Sequence, residues 1–273
     1  MRRRSTLAVT STISYVLLSC ASAWTGQKAG IIAHRGVTLE APENTIPAIE
    51  RAIALGAAMV EVDPRYTKDG EVVLMHDESL NRTTNGSGRV SEKTLAEIRR
   101  LDVRSQEGRK DSGTKVPTLR EVLRAAKGKI QVYLDMKEPD PTPVIKVVLE
   151  TDAKSYVYFR PYYYQGLKRI TAADSAFRVL VDLEDWLQVP GILPVLRRAI
   201  PTAAFSGALH NWNPGMITEA HRLGVVTFAN VLESEDTPEN LQRAVSMGFD
   251  FIQTDRQLDL KRILDRQSSP GVR

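Results

Sequence analysis

The stretch Ile31-Ile32-Ala33-His34-Arg35-Gly36 begins a region in which ionisable residues alternate with short apolar runs. The region continues through Ala41-Pro42-Glu43-Asn44-Thr45 and Val60-Glu61-Val62-Asp63 to Val72-Val73-Leu74-Met75-His76-Asp77. Two histidines, an arginine and several carboxylates therefore stand beside strand-like segments. Charged groups are seldom buried unless they are paired or bind a metal. The region predicts an enzyme that uses a metal to act on a phosphate.

The bulk composition is that of a globular protein. The chain has 273 residues and a formal net charge of +4 at pH 7, of which Arg2, Arg3 and Arg4 supply three positive charges. The rest is nearly neutral and has no basic patch interleaved with aromatic residues, so no nucleic-acid partner is expected. Hydrophobic and charged residues, 42% and 26% of the chain, are typical of a globular protein, and the length allows one large domain or two small ones. We expect one domain over residues 29–265.

The first 23 residues are typical of an export signal, since three arginines precede a moderately apolar stretch at residues 7–18. Two alternatives for its processing stay open. Ala21-Ser22-Ala23 fits a cleavage site that releases a free protein, whereas Leu17-Leu18-Ser19-Cys20 resembles a bacterial lipobox. In the second alternative Cys20, the only cysteine, carries a lipid that anchors the protein to a membrane. We expect a periplasmic or extracellular protein, or a membrane-anchored lipoprotein.

Short apolar runs alternate with helical segments along the rest of the chain, a pattern that predicts a parallel sheet with helical crossovers. The eight predicted strands are 30–34, 59–65, 130–136, 155–159, 177–182, 203–205, 225–230 and 249–253. The predicted helices are 45–55, 119–126, 143–151, 165–172, 190–199, 214–223 and 238–247. Eight repeats predict an α/β fold, a single (β/α)8 TIM-type barrel. Within it, residues 72–118 are predicted to form an extended connection, with a strand at 72–76, a short helix at 91–101 and a polar loop at 104–115.

Paired carboxylates point to a metal site. Glu61 and Asp63 are two residues apart on a predicted strand, so both side chains lie on one face, about 6–7 Å apart along it. In a barrel that face can be the interior near the carboxyl ends of the strands, where active sites lie. Carboxylates held there repel each other unless a cation lies between them, and oxygen ligands favour Mg²⁺ or Ca²⁺. Asp135 shares a face with Lys137 at the end of another strand and is a candidate third ligand of one divalent cation.

His34 and His76 each follow an apolar run, which places the side chain at the end of a strand. Two histidines facing each other across a phosphate suit general acid–base catalysis near neutral pH. Arg35 and Lys137 are predicted to supply positive charge to the phosphate oxygens. Each residue alone has an ordinary structural explanation, such as a packed histidine or a solvated carboxylate. Only the ordered series favours chemistry.

That series resembles the glycerophosphodiester phosphodiesterase family. The family's motifs are His-Arg-Gly, Pro-Glu-Asn-Thr, Glu-x-Asp, Thr-x-Asp-Gly, and His-Asp followed by Leu-x-Arg-Thr-Thr. This chain carries them at residues 34–36, 42–45, 61–63, 67–70, 76–77 and 80–84. Val116-Pro117-Thr118-Leu119 and the segment Gly-Phe-Asp-Phe-Ile-Gln-Thr-Asp at 248–255 are similar to two later motifs. The similarity extends over residues 29–258, densely up to Asp77 and thinly between 139 and 223.

The resemblance implies a (β/α)8 barrel that hydrolyses small-molecule glycerophosphodiesters to glycerol 3-phosphate and an alcohol, with a divalent cation. It implies acid–base roles for His34 and His76 and metal ligation by Glu61 and Asp63. Family mechanisms have a glycerol hydroxyl attack phosphorus, with one histidine as base and the other as acid. Water then opens the resulting cyclic phosphate.

The resemblance also implies substrate-binding positions. Arg35 falls at the family's phosphate-contacting position, and Glu43 falls at an acidic position next to the reacting groups. Lys137 and the aromatic Phe228 complete the predicted phosphate- and substrate-binding set.

Three positions depart from the family pattern. Asp135 stands where the family has the glutamate of Glu-Ile-Lys, and its shorter side chain predicts coordination through water or a shifted ion. Phe228 belongs to Phe-Ala-Asn where the family has Trp-Thr-x-Asn, which keeps an aromatic wall but loses the indole N–H. Arg160 lies where Ser-Phe is expected on the fourth strand, and a solvated loop position is favoured over a substrate contact.

Two other functions stay open. One is a phospholipase-D-like barrel acting on lysophospholipid or sphingolipid headgroups, which predicts an apolar groove at the barrel mouth. Candidates to line such a groove are Tyr156, Tyr158, Tyr162, Tyr163, Tyr164 and Trp186. The other is a non-catalytic binding barrel, and the presence of both histidines and of Glu61 and Asp63 argues against it.

Overall fold

The computed structural model describes residues 28–104, 113–183, 191–199 and 204–268. Their strands are β1 (Gly30–Ala33), β2 (Met59–Val62), β3 (Pro64–Tyr66), β4 (Val72–Leu74), β5 (Gln131–Met136), β6 (Val157–Pro161), β7 (Arg178–Asp182), β8 (Ala204–Ala208), β9 (Val226–Asn230) and β10 (Phe251–Thr254). Their α-helices are α1 (Ile46–Leu55), α2 (Leu95–Ile98), α3 (Leu119–Ala126), α4 (Thr142–Glu150), α5 (Tyr164–Ala173), α6 (Ile192–Ala199), α7 (Pro214–Arg222), α8 (Pro238–Met247) and α9 (Gln257–Ser268).

Some of the sequence predictions lie outside the described residues. These are the export signal with Cys20, Trp186 and most of the polar loop at 104–115. Within the described part of the chain, no helix has both the length and the apolar character needed to cross a membrane.

Eight strands close into a parallel barrel in the order β1-β10-β9-β8-β7-β6-β5-β2, with β1 also paired to β2. The predicted (β/α)8 barrel is confirmed. The carboxyl ends of the barrel strands share one rim, called the mouth below, because all eight strands are parallel. Active sites of this fold lie at that rim.

The helices begin and end where local chemistry favours it. Thr118 caps α3 by accepting a hydrogen bond from Glu121 N, while the Glu121 carboxylate accepts one from Thr118 N at 2.8 Å. The buried residues of α3 recur at helical spacing and face the sheet. α1 ends at Gly56, whose left-handed φ of 80° suits glycine. Such signals explain why the predicted helix at 119–126 agrees with α3. The charged segment that forms α9 was not among the predicted helices.

A hairpin of β3 and β4 leaves the barrel directly after β2. The predicted strand 59–65 is therefore two strands, separated at Asp63. The Asp63 carbonyl accepts a hydrogen bond from Met75 N at 2.9 Å, which brings the end of the hairpin back to the mouth. The predicted helix at 91–101 is shorter than expected, since it consists of a 3-10 turn at Val90–Glu92 followed by α2.

An apolar cluster fills the barrel below the mouth. Its buried members are Ile32, Met59, Tyr133, Tyr158, Leu180, Ala204, Phe228 and Phe251. The Phe228 ring stacks on Phe251 with centroids 4.8 Å apart, and Phe228 is fully buried. The prediction that Phe228 contacts substrate is therefore wrong. Side chains alternate along a strand, so Asn230, two residues further along β9, is the one that reaches the mouth.

Fewer of the predicted tyrosines than expected lie at the barrel mouth, where an aromatic groove was predicted. Tyr158 belongs to the interior cluster, and Tyr156 donates its hydroxyl to the Leu123 carbonyl on the helical side of the sheet. Tyr162, Tyr163 and Tyr164 are exposed at the mouth.

Candidate active site

Three carboxylates meet at the mouth where β2 and β5 end. Glu61 lies on β2, Asp63 follows it, Asp135 lies on β5, and a carboxylate oxygen from each lies within 4.8 Å of the others. Burial and the neighbouring Asp63 charge raise the pKa of Glu61 to about 8. A cation would neutralise this concentration of negative charge, and an all-oxygen donor set suits Mg²⁺ or Ca²⁺. The three residues therefore fit a divalent-cation site.

Two basic side chains hold Asp135. Lys137 Nζ donates to Asp135 Oδ2 at 2.7 Å and also to Asp63. Arg160 donates to Asp135 Oδ1 at 2.7 Å and also to Asp182 on β7. Burial alone would raise the pKa of Asp135, but Arg160 and Lys137 outweigh burial and lower that pKa to about 2. Asp135 is therefore ionised at neutral pH, with both of its oxygens engaged.

The expectation that Arg160 is a solvated loop residue is wrong. Arg160 lies on β6 in register with Asp135, and its side chain is only 18% exposed. Its second partner, Asp182, accepts a hydrogen bond from Ser206 Oγ at 3.2 Å. This row of polar contacts joins the carboxyl ends of β5, β6, β7 and β8, and its members are too far apart in sequence for a local pattern to indicate it.

The connection between β1 and α1 surrounds the carboxylates with hydrogen-bond donors. Arg35 N donates to Glu61 Oε2 at 2.9 Å, and Asn44 Nδ2 donates to Asp63 Oδ2 at 2.8 Å. Arg35 and Asn44 both have a left-handed backbone, with φ of 53° and 57°. Such strain in residues other than glycine is concentrated at functional sites. Asn44 lies in the Pro-Glu-Asn-Thr motif, but no role was predicted for it.

His34 is supported from the far end of the chain. Its Nδ1 lies 2.9 Å from Asp255 Oδ1, just after β10, the strand that pairs with β1. Burial tends to lower the pKa of His34, but the Asp255 hydrogen bond and the Glu61 charge outweigh burial, and the pKa is raised. An ionised carboxylate is only an acceptor, so Nδ1 of His34 carries the proton that it donates to Asp255. Nε2 is therefore the nitrogen available for proton transfer.

His76 has the same kind of support on the hairpin side. Its Nδ1 lies 2.9 Å from Asp77 Oδ1. The buried Arg65 donates to the His76 carbonyl at 2.8 Å through Nη2 and to Glu138 at 2.9 Å through Nη1. Because Glu138 follows Lys137 at the end of β5, this contact fixes the hairpin against the barrel rim.

Glu43 links the two histidine regions. Arg82 donates to Glu43 Oε2 at 2.6 Å and to Asp77 Oδ2 at 2.8 Å, while Arg35 Nη1 donates to Glu43 Oε1 at 3.3 Å. Glu43 is buried. Its carboxylate therefore orders two arginines instead of presenting a free acid to a substrate. Arg82 is therefore a site residue. It lies in the Leu-x-Arg-Thr-Thr motif, but no role was predicted for it.

On the opposite side of the mouth, the residues that the structure describes enclose a cavity. A cavity of about 680 Å³ lies over the carboxyl ends of β7, β8 and β9. Among the described residues that line it are Asp182, His210, Asn230, Glu233 and Glu235. His210 Nδ1 lies 3.0 Å from Glu235 Oε1, a pair that resembles His76 and Asp77 but stands apart from the triad.

Comparison with known proteins identifies the chain. Residues 34–258 match the glycerophosphoryl diester phosphodiesterase family. The chain belongs to this family, and it is therefore a phosphoric diester hydrolase. It is 32% identical over 240 residues to a glycerophosphodiester phosphodiesterase of Caldanaerobacter subterraneus, an alignment covering 82% of this chain and 93% of that relative.

Solved structures of glycerophosphodiester phosphodiesterases have the same fold. The enzyme from Agrobacterium tumefaciens is 26% identical with a TM-score of 0.75, over 86% of this chain and 99% of its own. An Oleispira antarctica phosphodiesterase, in complex with the product sn-glycerol-3-phosphate, is 22% identical with a TM-score of 0.74, over 87% of this chain and 97% of its own. At that identity the second likeness supports the fold alone.

Within this family fold, every predicted site residue except Phe228 belongs to one connected set at the mouth. The set comprises His34, Arg35, Glu43, Glu61, Asp63, His76, Asp135 and Lys137, joined by the hydrogen bonds and chain neighbours described above. The residues that were missed are Asn44, Arg82, Asp182 and Asp255. The motifs contained Asn44, Arg82 and Asp255, but only the folded chain shows what each one contacts.

Proposed function

We propose that this chain hydrolyses glycerophosphodiesters to glycerol 3-phosphate and an alcohol, with one divalent cation and an acid–base pair formed by His34 and His76. The observation that carries the proposal is the carboxylate triad, which shares one connected set with two carboxylate-supported histidines. Family membership supports it, and so does the 32% identity to a glycerophosphodiester phosphodiesterase of Caldanaerobacter subterraneus.

Glu61, Asp63 and Asp135 would hold the cation, Mg²⁺ or Ca²⁺. When bound, a divalent cation polarises phosphoryl oxygens and lowers the pKa of a nearby hydroxyl. Lys137, which donates to Asp63 and Asp135, and Arg35, whose Nε lies 3.5 Å from Asp63 Oδ2, are two positive charges beside the triad. We assign both to the nonbridging oxygens of the phosphate, where arginine can donate bidentately.

His34 and His76 divide the proton transfers. A glycerol hydroxyl gives its proton to one histidine as its oxygen bonds to phosphorus, and the departing alcohol takes a proton from the other histidine. Water then opens the cyclic phosphate with the two roles reversed, so both histidines return to their starting protonation. Asp255 and Asp77 keep each ring oriented by accepting at Nδ1.

A matched pair of histidines tests this proposal. His76 and His210 are both partly exposed, and each has a carboxylate partner at Nδ1, but only His76 belongs to the set that includes the triad. We expect His76→Ala to lower kcat for glycerol 3-phosphate release from glycerophosphocholine about 10³-fold, and His210→Ala less than about fivefold. Equal activity of wild type and His76→Ala would contradict the proposal.

We also propose that the protein is exported, and that Cys20 carries a lipid in the mature form. The support is the sequence alone, three arginines, an apolar stretch and Leu17-Leu18-Ser19-Cys20. Intact-mass measurement of protein from the membrane fraction, beside a Cys20→Ala variant, tests it. A lipid adduct on the wild type only is expected, and an unmodified chain starting near Trp24 would favour simple cleavage instead.

A further inference from the structure

Exposed apolar side chains are concentrated around the mouth. The large apolar residues that are strongly exposed, among those the structure describes, are Leu39 (72%), Leu149 (53%), Tyr162 (64%), Tyr163 (44%), Tyr164 (63%), Val195 (60%) and Leu258 (39%). Five of them lie in connections that follow barrel strands, or at the first residues of the next helix, which is the mouth side. Leu149 lies at the far end of α4, and Val195 lies within α6.

The five residues flank the mouth on opposite sides. Leu39 follows β1 and Leu258 follows β10, and these two strands are neighbours in the barrel. The tyrosines follow β6, which is three strands from β1 and four from β10 in the ring of eight. Apolar groups on opposite sides of one rim are contacted together only by something broad and flat, wider than a small ligand.

Tyr162, Tyr163 and Tyr164, called the tyrosine cluster below, have side chains that suit a lipid–water interface. The Tyr162 and Tyr163 rings pack edge to face with centroids 5.3 Å apart. Lys168 Nζ lies 5.1 Å from the Tyr164 ring centroid, and Lys168 has no ion-pair partner in the described part of the chain. Tyrosine is enriched at membrane interfaces because its ring is apolar and its hydroxyl polar. An unpaired ammonium beside such rings is complementary to lipid phosphate groups.

We propose that this rim docks on a phospholipid surface, with Tyr162, Tyr163, Tyr164 and Lys168 on one side of the mouth and Leu39 and Leu258 on the other. Docking brings the mouth against the lipid. That the mouth is the active site rests on the proposed function. The contact is mainly aromatic and apolar, since acidic residues such as Glu40 also lie on the rim. It therefore depends little on salt.

Flotation of the purified full-length chain with phosphatidylcholine vesicles tests the docking surface. We expect Tyr163→Ser and Tyr164→Ser together to lower the vesicle partition coefficient about tenfold or more, and Tyr162 is kept because its ring lies 5.8 Å from Arg160. The matched control, Leu149→Ser with Val195→Ser, removes exposed apolar side chains from other surfaces and should leave partitioning unchanged. Partitioning that falls equally in both variants would overturn the proposal.

Amide hydrogen exchange supplies a local readout that binding through any other segment does not produce. Vesicles should slow exchange in residues 36–44, 160–166 and 255–260, and leave residues around Leu149 and Val195 unchanged. Absence of slowing at the mouth, whatever the partition coefficient, would overturn the proposal. So would a concentration-dependent dimer that the tyrosine substitutions abolish without vesicle binding, because the rim would then be an interface between copies of this chain.

Hydrolysis of the water-soluble glycerophosphocholine separates this proposal from the proposed function. The tyrosine variant should retain wild-type turnover, which also shows that it is folded. A wild type that docks but does not hydrolyse the diester would count against the proposed function and leave the docking surface intact.

Discussion

The two sides of the barrel mouth differ in how their polar groups are used. On the side of β1, β2, β5 and the β3–β4 hairpin, nearly every charged group is held by another, from Lys137 and Asp63 to Arg82 and Glu43. On the side of β7, β8 and β9, the described residues line a cavity of about 680 Å³, and they include the pair His210 and Glu235 and the exposed Glu233. The first side is fixed by contacts among its charged groups, and the second surrounds the cavity.

This difference follows from what each task requires. Charges that stabilise a transition state act best when they need no rearrangement, so they are fixed by several hydrogen bonds. A binding region has to admit a molecule of appreciable size, so it keeps open volume and few internal contacts. We therefore expect substitutions on the first side to affect chemistry and stability strongly, and matched substitutions on the second side to have small effects.

After the contrast between His76 and His210 described above, the largest contrast is expected for metal binding. Asp63→Asn removes a carboxylate of the triad and should weaken Mg²⁺ or Ca²⁺ binding about 100-fold. Asp182→Asn, on the open side, touches the triad only through Arg160 and should weaken binding less than about fivefold. Isothermal titration calorimetry measures both. Equal losses in the two variants would mean that the triad is not the cation site.

The contact between His34 and Asp255 should give the next largest effect. Asp255→Asn removes the carboxylate that raises the His34 pKa against burial, so that pKa falls and the ring loses its orientation. We expect kcat to fall about 10- to 100-fold. The limb of the pH profile of kcat/KM that reports His34 should move to lower pH, whether His34 acts as the base or the acid. A profile that keeps its shape and position would exclude this role for Asp255.

Stability should distinguish Glu43 from Glu235. Glu43→Gln replaces a buried carboxylate, which accepts hydrogen bonds from two arginines, by a neutral amide. It should lower the free energy of unfolding by about 2 kcal/mol. Glu235→Gln changes a partly exposed partner of His210 and should cost under about 1 kcal/mol. Urea unfolding compares the two. A larger loss of unfolding free energy for Glu235→Gln than for Glu43→Gln would contradict the expectation that the first side contributes more to stability.

The smallest effect concerns Asp77. Its hydrogen bonds with Arg82, and then with His76, hold the pKa of Asp77 well below its usual range. A lowered pKa contributes stability above the unfolded value of about 3.9, and that stability is lost as pH falls toward the folded pKa. The free energy of unfolding of wild type should exceed that of Asp77→Asn by about 1 kcal/mol at pH 7, and this difference should shrink below a pH of about 3.9. Urea unfolding at a series of pH values measures it. A gap that persists in acid would point to a cause other than this charge.

The sequence predicted the barrel well because each repeat carries its own signals. The helix at 119–126 is fixed by Thr118, Glu121 and an apolar face, all within one short segment. The break of the strand at Asp63 was missed because Val62-Asp63-Pro64-Arg65 continues the same alternation. In the structure both backbone groups of Asp63 bond outside the barrel sheet, since its N–H donates to Asn44 Oδ1 and its carbonyl accepts from Met75 N.

The candidate site was predicted where its residues are close in sequence and missed where they meet only in the closed barrel. His34 and Asp255 come together because β10 pairs with β1. Arg160 was assigned to solvent because its partners, Asp135 and Asp182, lie on other strands. Phe228 was placed in the site because Phe-Ala-Asn stands where the family has Trp-Thr-x-Asn. Its depth along β9 buries it instead.

The most direct test of the central claim is hydrolysis of glycerophosphocholine by the purified full-length chain, first with EDTA and then with Mg²⁺ or Ca²⁺ restored. We expect no release of glycerol 3-phosphate with EDTA and recovery when either ion returns, because Glu61, Asp63 and Asp135 are assigned to hold the cation. Full activity in EDTA would contradict a metal-dependent site. No release under any condition would contradict the proposed substrate.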